Sequence, residues 1–311
     1  MTSENTQKPH DRMAAYLNAD MTAVNDLIRD RMASEHAPRI PEVTAHLVEA
    51  GGKRLRPMLT LAAARLCGYD GPYHVHLAAT VEFIHTATLL HDDVVDESAQ
   101  RRGRPTANLL WDNKSSVLVG DYLFARSFQL MTETNNMRVL AILANASATI
   151  AEGEVLQLTA AQNLATDEGI YLQVVRGKTA ALFSAATQVG GVIAAAPDAQ
   201  VQALFDYGDA LGIAFQIVDD LLDYQGDPNA TGKNIGDDFR ERKLTLPVIK
   251  AIAKGDAAER AFWTRTIEKG KQEEGDLEHA LSLLNAHGTL DETKAEALAW
   301  AEQAKTALNT L

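Results

Sequence analysis

Residues 82–96 read Glu82-Phe83-Ile84-His85-Thr86-Ala87-Thr88-Leu89-Leu90-His91-Asp92-Asp93-Val94-Val95-Asp96, and residues 215–223 read Phe215-Gln216-Ile217-Val218-Asp219-Asp220-Leu221-Leu222-Asp223. Each closes an apolar, helix-like run with the pattern Asp-Asp-x-x-Asp, and the two patterns begin 127 positions apart. Positions i and i+4 share a helix face, so Asp92 with Asp96, and Asp219 with Asp223, set like charges side by side at a cost to the helix. A solvated acidic face is polar around its carboxylates, whereas these are flanked by Leu, Val and Ile. Two such clusters imply a cation to hold. Carboxylate oxygens suit a hard ion such as magnesium, which bridges one or two carboxylates to phosphate groups.

Outward from these segments the helical pattern continues almost throughout, with no sustained alternation of period two. The spacing predicts helices at 11–33, 40–50, 55–67, 73–98, 115–134, 137–164, 168–194, 198–225, 240–254, 257–273, 275–287 and 291–310. Breaks are expected at Gly51-Gly52, Gly68 to Pro72, Gly103 to Pro105, Ala196-Pro197-Asp198 and Gly226 to Gly236. Thr166-Asp167-Glu168 reads as a helix start and Asp198 as a further cap. The segments 73–98 and 198–225 are apolar on most faces, as central helices of a bundle are. The expected fold class is all-α: one large helical bundle around a central cavity, in a single domain, 1–311, with the first ten residues flexible. Facing helices of a bundle can build a metal site from inward side chains. Two helices that each carry an aspartate cluster above an apolar stretch give a cavity with a polar mouth and an apolar barrel, a shape for an amphiphile with a charged head and a hydrocarbon tail.

The 311 residues carry a net charge of −13, which argues against a nucleic-acid surface. The one cysteine, Cys67, cannot form an internal disulfide and fits a reducing, cytoplasmic setting, with a buried structural thiol as its expected state. No signal-like segment opens the chain, and no uncharged apolar stretch reaches the roughly 18 residues of an integral membrane segment.

Cations come in runs: Gly51-Gly52-Lys53-Arg54-Leu55-Arg56-Pro57, Arg101-Arg102-Gly103-Arg104, Arg176-Gly177-Lys178-Thr179, Thr231-Gly232-Lys233 and Arg242-Lys243. Guanidinium forks match phosphate oxygens bidentately and lysine supplies a point charge. Taken singly, each run is more often solvated surface. Together with the aspartates they imply two anion sites, one bridged by magnesium and one held directly by Lys and Arg. His85 lies seven positions before Asp92, two turns away on nearly the same face, which favours a ligand over an ordinary core histidine.

The segments 51–57, 82–96, Arg101-Arg102-Gly103, Gly177-Lys178-Thr179 and 215–223 resemble the trans-isoprenyl (polyprenyl) diphosphate synthases, in order and with family spacing from about residue 13 to 305. The phrasing is most similar to the long-chain octaprenyl and decaprenyl diphosphate synthases that serve quinone side chains. The resemblance implies the all-α isoprenoid synthase fold, a homodimer of such chains, and magnesium-dependent head-to-tail condensation of isopentenyl diphosphate onto an allylic diphosphate, with three Mg2+ ions once the allylic diphosphate is bound. It assigns Asp92 and Asp96, supported by Asp93, to magnesium on the allylic diphosphate. It assigns Asp219 to a further ion, with Asp220 and Asp223 acting through water. Arg101, Lys178, Lys233 and Lys243 match allylic-diphosphate ligands; Lys53, Arg56, His85 and Arg102 match the isopentenyl diphosphate site; Thr179 and Gln216 match polar residues near the reacting carbons. His91 receives no role.

In such enzymes the helix leading to the first cluster lines the tail cavity. Ala87 and Thr88 precede Asp92 by five and four positions, and Ile84 and Val81 lie a turn deeper, a step of ~5.4 Å. Small residues at 87 and 88 imply a deep tunnel, with its floor on the helix of Val139, Leu140 and Leu143. Arg242 departs from the family's usual small residue, and relatives continue for roughly another helix beyond the position of Leu311. The alternatives are a shorter-chain farnesyl or geranylgeranyl diphosphate synthase, a terpene cyclase, which would not need Lys53, Arg56 and His85, and a non-catalytic subunit of a heteromeric synthase, which would tend to lose one cluster.

Overall fold

The computed structural model describes residues 8–49, 52, 54–101, 103–225 and 235–311. Among them helix dominates, and the one sheet is a hairpin of two-residue strands, β1 (Gln100–Arg101) and β2 (Arg104–Pro105). Strands this short leave no period-two signal, so the sequence shows only the turn around Gly103. The chain divides into two compact units, Met1–Asn145 with Ala185–Phe205, and Ala146–Ser184 with Asp206–Leu311.

The first unit opens with α1 (Pro9–Tyr16) and α2 (Asn18–Met32). A single helix is expected at 11–33, but Leu17 leaves helical geometry and its side chain is buried with Val24, Ile28 and Met32 of α2. Burying an aliphatic side chain stabilises by roughly 1.5–3 kcal/mol, and the backbone still bonds across the break, Leu17 N donating to Met13 O and Met21 N to Leu17 O. Then come α3 (Arg39–Glu49), α4 (Leu55–Leu66), α5 (Tyr73–Val95), the short α6 (Ala107–Leu110) and α7 (Asn113–Glu133). α5 is the axis of this unit. Phe83, Ala87 and Leu90 of α5 pack with Leu123 and Leu130 of α7 in the core. Cys67 follows α4 and is half-buried rather than buried; burial still pushes its thiol pKa up. α5 stops at Val95, three residues short of the expected end, and Asp96 is its C-cap.

α8 (Met137–Ala160), α10 (Ala181–Ile193) and α11 (Asp198–Gln225) each contribute residues to both units. α8 is long and apolar enough to cross a membrane by length and composition, a test that core helices also pass. Asp198 is the first residue of α11 rather than its cap, and it pairs with Arg138 at 2.7 Å.

In the second unit Asp167 caps α9 (Glu168–Val175) as its sequence predicts, accepting from the Ile170 amide at 2.9 Å. The helix expected at 168–194 is interrupted by a π-helical turn, Arg176–Ala180, between α9 and α10. The helix expected at 240–254 is two: α12 (Asp237–Arg240) and α13 (Leu246–Lys254). Arg242, at φ 64°, turns the chain between them. Pro247 lies in the first turn of α13, where a missing N–H does no harm. α14 (Ala257–Trp263) starts at a capping box, Asp256 with Glu259, and runs into a second π turn, Thr264–Glu268. α15 (Asp276–Ala286) and α16 (Thr289–Ala307) follow, and a 3-10 turn, Leu308–Thr310, lies beyond α16. Phe239, Phe262 and Trp263 form the aromatic centre of this unit, with ring centroids 5.0 to 6.5 Å apart.

Candidate functional site

In the first unit the last turn of α5 carries Asp92 and Asp93, and Asp96 is its C-cap. Asp92 is half-buried, Asp93 fully buried and Asp96 exposed. The hairpin folds Arg101 back onto Asp93, whose Oδ1 accepts from Nε at 2.9 Å and Nη2 at 2.8 Å. Asp93 Oδ2 is buried and receives no hydrogen bond. Asp93 is therefore the carboxylate that orders the hairpin, while Asp92 and Asp96 stand nearer to solvent. His91 reaches α7, where its Nε2 donates to Val117 O at 3.2 Å. The imidazole occupies the space beside Gly120: a Cβ there would stand 2.2 Å from Nε2. His91 thus ties the cluster-bearing end of α5 to α7, a contact no local pattern reveals.

Two turns earlier on α5, His85 Nε2 lies 3.3 Å from Arg56 Nη1. Arginine can only donate, so Nε2 accepts and the ring proton belongs on Nδ1. Arg54 holds Glu82 on the same helix. Residues 54–56 thus lie beside the 82–85 turn of α5, although Lys53 and Arg102 lie outside the described residues. Arg54 (φ 48°) and Glu97 (φ 51°) are both left-handed. Such conformations cost about 1–2 kcal/mol in a residue with a side chain and gather at functional sites. Val81, Ile84 and Ala87 are completely buried, and the half-buried Thr88 donates back to His85 O at 2.8 Å.

The second unit wires its aspartates to the π turn. Thr179 Oγ1 donates to Gln216 Oε1 at 2.9 Å. Gln216 Nε2 donates to Asp220 Oδ1 at 2.9 Å, and Tyr171 OH donates to Asp220 Oδ2 at 2.6 Å. Lys178 Nζ donates to Glu154 Oε2 at 2.9 Å. π turns insert an extra residue into a helix and are frequent at functional sites; here the turn presents Lys178 and Thr179 as neighbours. It is seated between two glycines, since a Cβ on Gly153 would stand 2.6 Å from Lys178 N, and one on Gly212 2.6 Å from Ala180 Cα. Asp223 is buried and accepts from the Asp238 amide at 3.2 Å, and Asp238 lies 3.5 Å from Lys243 Nζ. Asp219 is half-buried. Burial first, then the charge of Asp238, pushes the Asp220 carboxyl up to about 7. A carboxylate so placed is stabilised by a nearby cation, and an all-oxygen donor set suits magnesium. Lys233 lies outside the described residues.

Sequence reasoning missed Glu154, Tyr171 and Asp238. Each meets its partner only through tertiary folding, and none stands inside a recognisable motif.

The fold is the all-helical isoprenoid synthase fold of its structural neighbours. Residues 37–284 match the polyprenyl synthetase family. Octaprenyl diphosphate synthase of Escherichia coli (strain K12) is 45% identical over 94% of this chain and 90% of its own length. The crystal structure of a decaprenyl diphosphate synthase from Rhodobacter capsulatus superposes with a TM-score of 0.94 at 79% identity, covering 97% of this chain and 93% of that one. The structure of a polyprenyl synthase from Caulobacter crescentus CB15, complexed with calcium and isoprenyl diphosphate, gives 0.93 at 52% identity, covering 98% and 93%. The chain belongs to the polyprenyl synthetase family. Its activity is that of a prenyltransferase.

Proposed function

We propose that this chain condenses isopentenyl diphosphate onto an allylic diphosphate, head to tail and all-trans, and repeats the step to octaprenyl to decaprenyl length. The octaprenyl and decaprenyl synthases among its relatives support the long product. The observation that carries the chemistry is the hydrogen-bonded line from Thr179 through Gln216 to Asp220 and Tyr171, which joins an anion-binding turn to a carboxylate cluster.

Asp92, Asp93, Asp96, Asp219, Asp220 and Asp223 would hold Mg2+, as the relative bound to calcium and isoprenyl diphosphate suggests for a divalent cation. When bound, magnesium neutralises charge on the leaving diphosphate. Arg101, Lys178, Lys233 and Lys243 bind the allylic diphosphate and stabilise the charge that develops as its carbon–oxygen bond breaks. Lys53, Arg56, His85 and Arg102 hold isopentenyl diphosphate, whose double bond attacks the allylic cation. Thr179 and Gln216 orient the reacting carbons. Proton loss to the released diphosphate restores an alkene, so no side-chain base is needed. Val81, Ile84, Ala87 and Thr88 line the growing tail, in a site that excludes water from the cation.

The working form is a homodimer in the cytoplasm. Val117 and Leu118 of α7 are exposed apolar side chains that a second copy of this chain would cover. The test is magnesium-dependent incorporation of isopentenyl diphosphate by the purified chain, compared with Asp92→Asn and Asp219→Asn. Each substitution is expected to lower turnover by about 100-fold or more. Unchanged turnover in both variants contradicts the assignment.

A further inference from the structure

We propose that Arg242 is a positioning residue: it anchors the 236–243 loop so that Lys243 and Asp238 are held against the second aspartate cluster. The proposal rests on Lys243 being an allylic-diphosphate ligand.

Arg242 adopts φ 64°, where glycine is at home and arginine is strained. Its side chain explains why the conformation persists. Nε donates to Ile267 O at 2.8 Å and Nη2 to Glu268 O at 2.7 Å. These carbonyls close the second π turn, where a helix end leaves acceptors without helical donors and carries partial negative charge. A guanidinium presents its donors to two such oxygens in a fixed planar fork, whereas a lysine offers a point charge on a flexible stem. The guanidinium lies against Gly270, where a Cβ would stand 2.8 Å from Cζ.

From this anchor the loop returns to the site. Lys243 N donates to Asp238 O at 2.9 Å, Asp238 N to Asp223 Oδ2 at 3.2 Å and Gly236 N to Asp223 O at 2.8 Å. Gln272 ties the same two segments a second time, donating to Phe239 O at 2.8 Å and to Thr266 O at 3.3 Å. One end of the loop is thus fixed by Asp223 and the other by the π turn. Lys243 adjoins the second anchor and Asp238 the first.

Arg242→Gly retains the left-handed backbone without strain and removes the anchor. It should raise KM for the allylic diphosphate by about five-fold or more, with KM for isopentenyl diphosphate changed by less than about two-fold. Amide exchange at Asp238 and Lys243 should accelerate by about ten-fold without substrate. Arg242→Lys, which recovers one bond, should fall between, and it serves the same purpose if Arg242→Gly yields no folded enzyme. The double variant Arg242→Gly/Lys243→Gln should bind allylic diphosphate no worse than Lys243→Gln alone, because both changes remove one interaction. Multiplying effects, an unchanged allylic KM, or equal losses for both substrates overturn the proposal. If the unaltered chain shows no prenyl transfer, that reading of function fails by itself, and unchanged amide exchange in Arg242→Gly separately overturns the anchor.

Discussion

Gly153 of α8 and Gly177 of the first π turn meet backbone to backbone: a Cβ on Gly177 would stand 2.7 Å from Gly153 Cα. Lys178 and Thr179 are seated by this contact, and Glu154, next to Gly153, receives the Lys178 ammonium. Gly153→Ala must push the turn away. Overpacking of this kind costs about 1–3 kcal/mol. The variant should show a lower urea midpoint and, because the turn moves, a fall in kcat beyond what the remaining folded fraction explains. Wild-type turnover in Gly153→Ala would contradict the seating.

Asp220 gives the site a pH dependence. Its carboxyl is raised to about 7 by burial and by Asp238, while the hydrogen bonds from Tyr171 and Gln216 pull it down. The ionised form is the one that assists a cation, so magnesium affinity should weaken as pH falls from 8 to 6. Tyr171→Phe removes a bond that favours ionisation, so the loss should begin at higher pH. Magnesium titrations of turnover at several pH values read both effects.

Asp20 offers a test away from the site. Arg65 donates to both its oxygens, at 2.8 and 2.9 Å, and His74 Nε2 lies 3.2 Å away. The hydrogen bonds from Arg65 hold the carboxyl below its usual value of 3.8. A depressed pKa stabilises the fold above 3.8, and this contribution is lost as pH falls through the folded-state value. Asp20→Asn should therefore cost about 1–2 kcal/mol at pH 7, and the gap to wild type should narrow below pH 3.8. Chemical denaturation at several pH values measures it.

Ala87 is completely buried on α5, one residue before the half-buried Thr88. Ala87→Phe should block the tail path and shorten the product to farnesyl or geranylgeranyl length. Product chromatography checks this; an unchanged product would mean that Ala87 serves only helix packing.

The clusters were legible because they combine a rare charge pattern with the helical period. Their placement at the C-terminal ends of α5 and α11 follows from the same period. The pairing of Arg56 with His85 was legible only as two residues assigned to one substrate. Three features were not legible. The π turn at Arg176–Ala180 changes the register by one residue without any Gly-Pro signal strong enough to mark it. The split between α12 and α13 depends on Arg242 adopting a conformation that its residue type disfavours. Tyr171, Glu154 and Asp238 acquire their partners 49, 24 and 15 positions away, respectively, and no local pattern encodes those contacts.

The central claim is most directly tested by product length. The purified chain, given magnesium, farnesyl diphosphate and labelled isopentenyl diphosphate, should release products that run at octaprenyl to decaprenyl length after dephosphorylation. Products that stop at farnesyl or geranylgeranyl length would contradict the long-chain assignment, and no incorporation would contradict prenyl transfer itself.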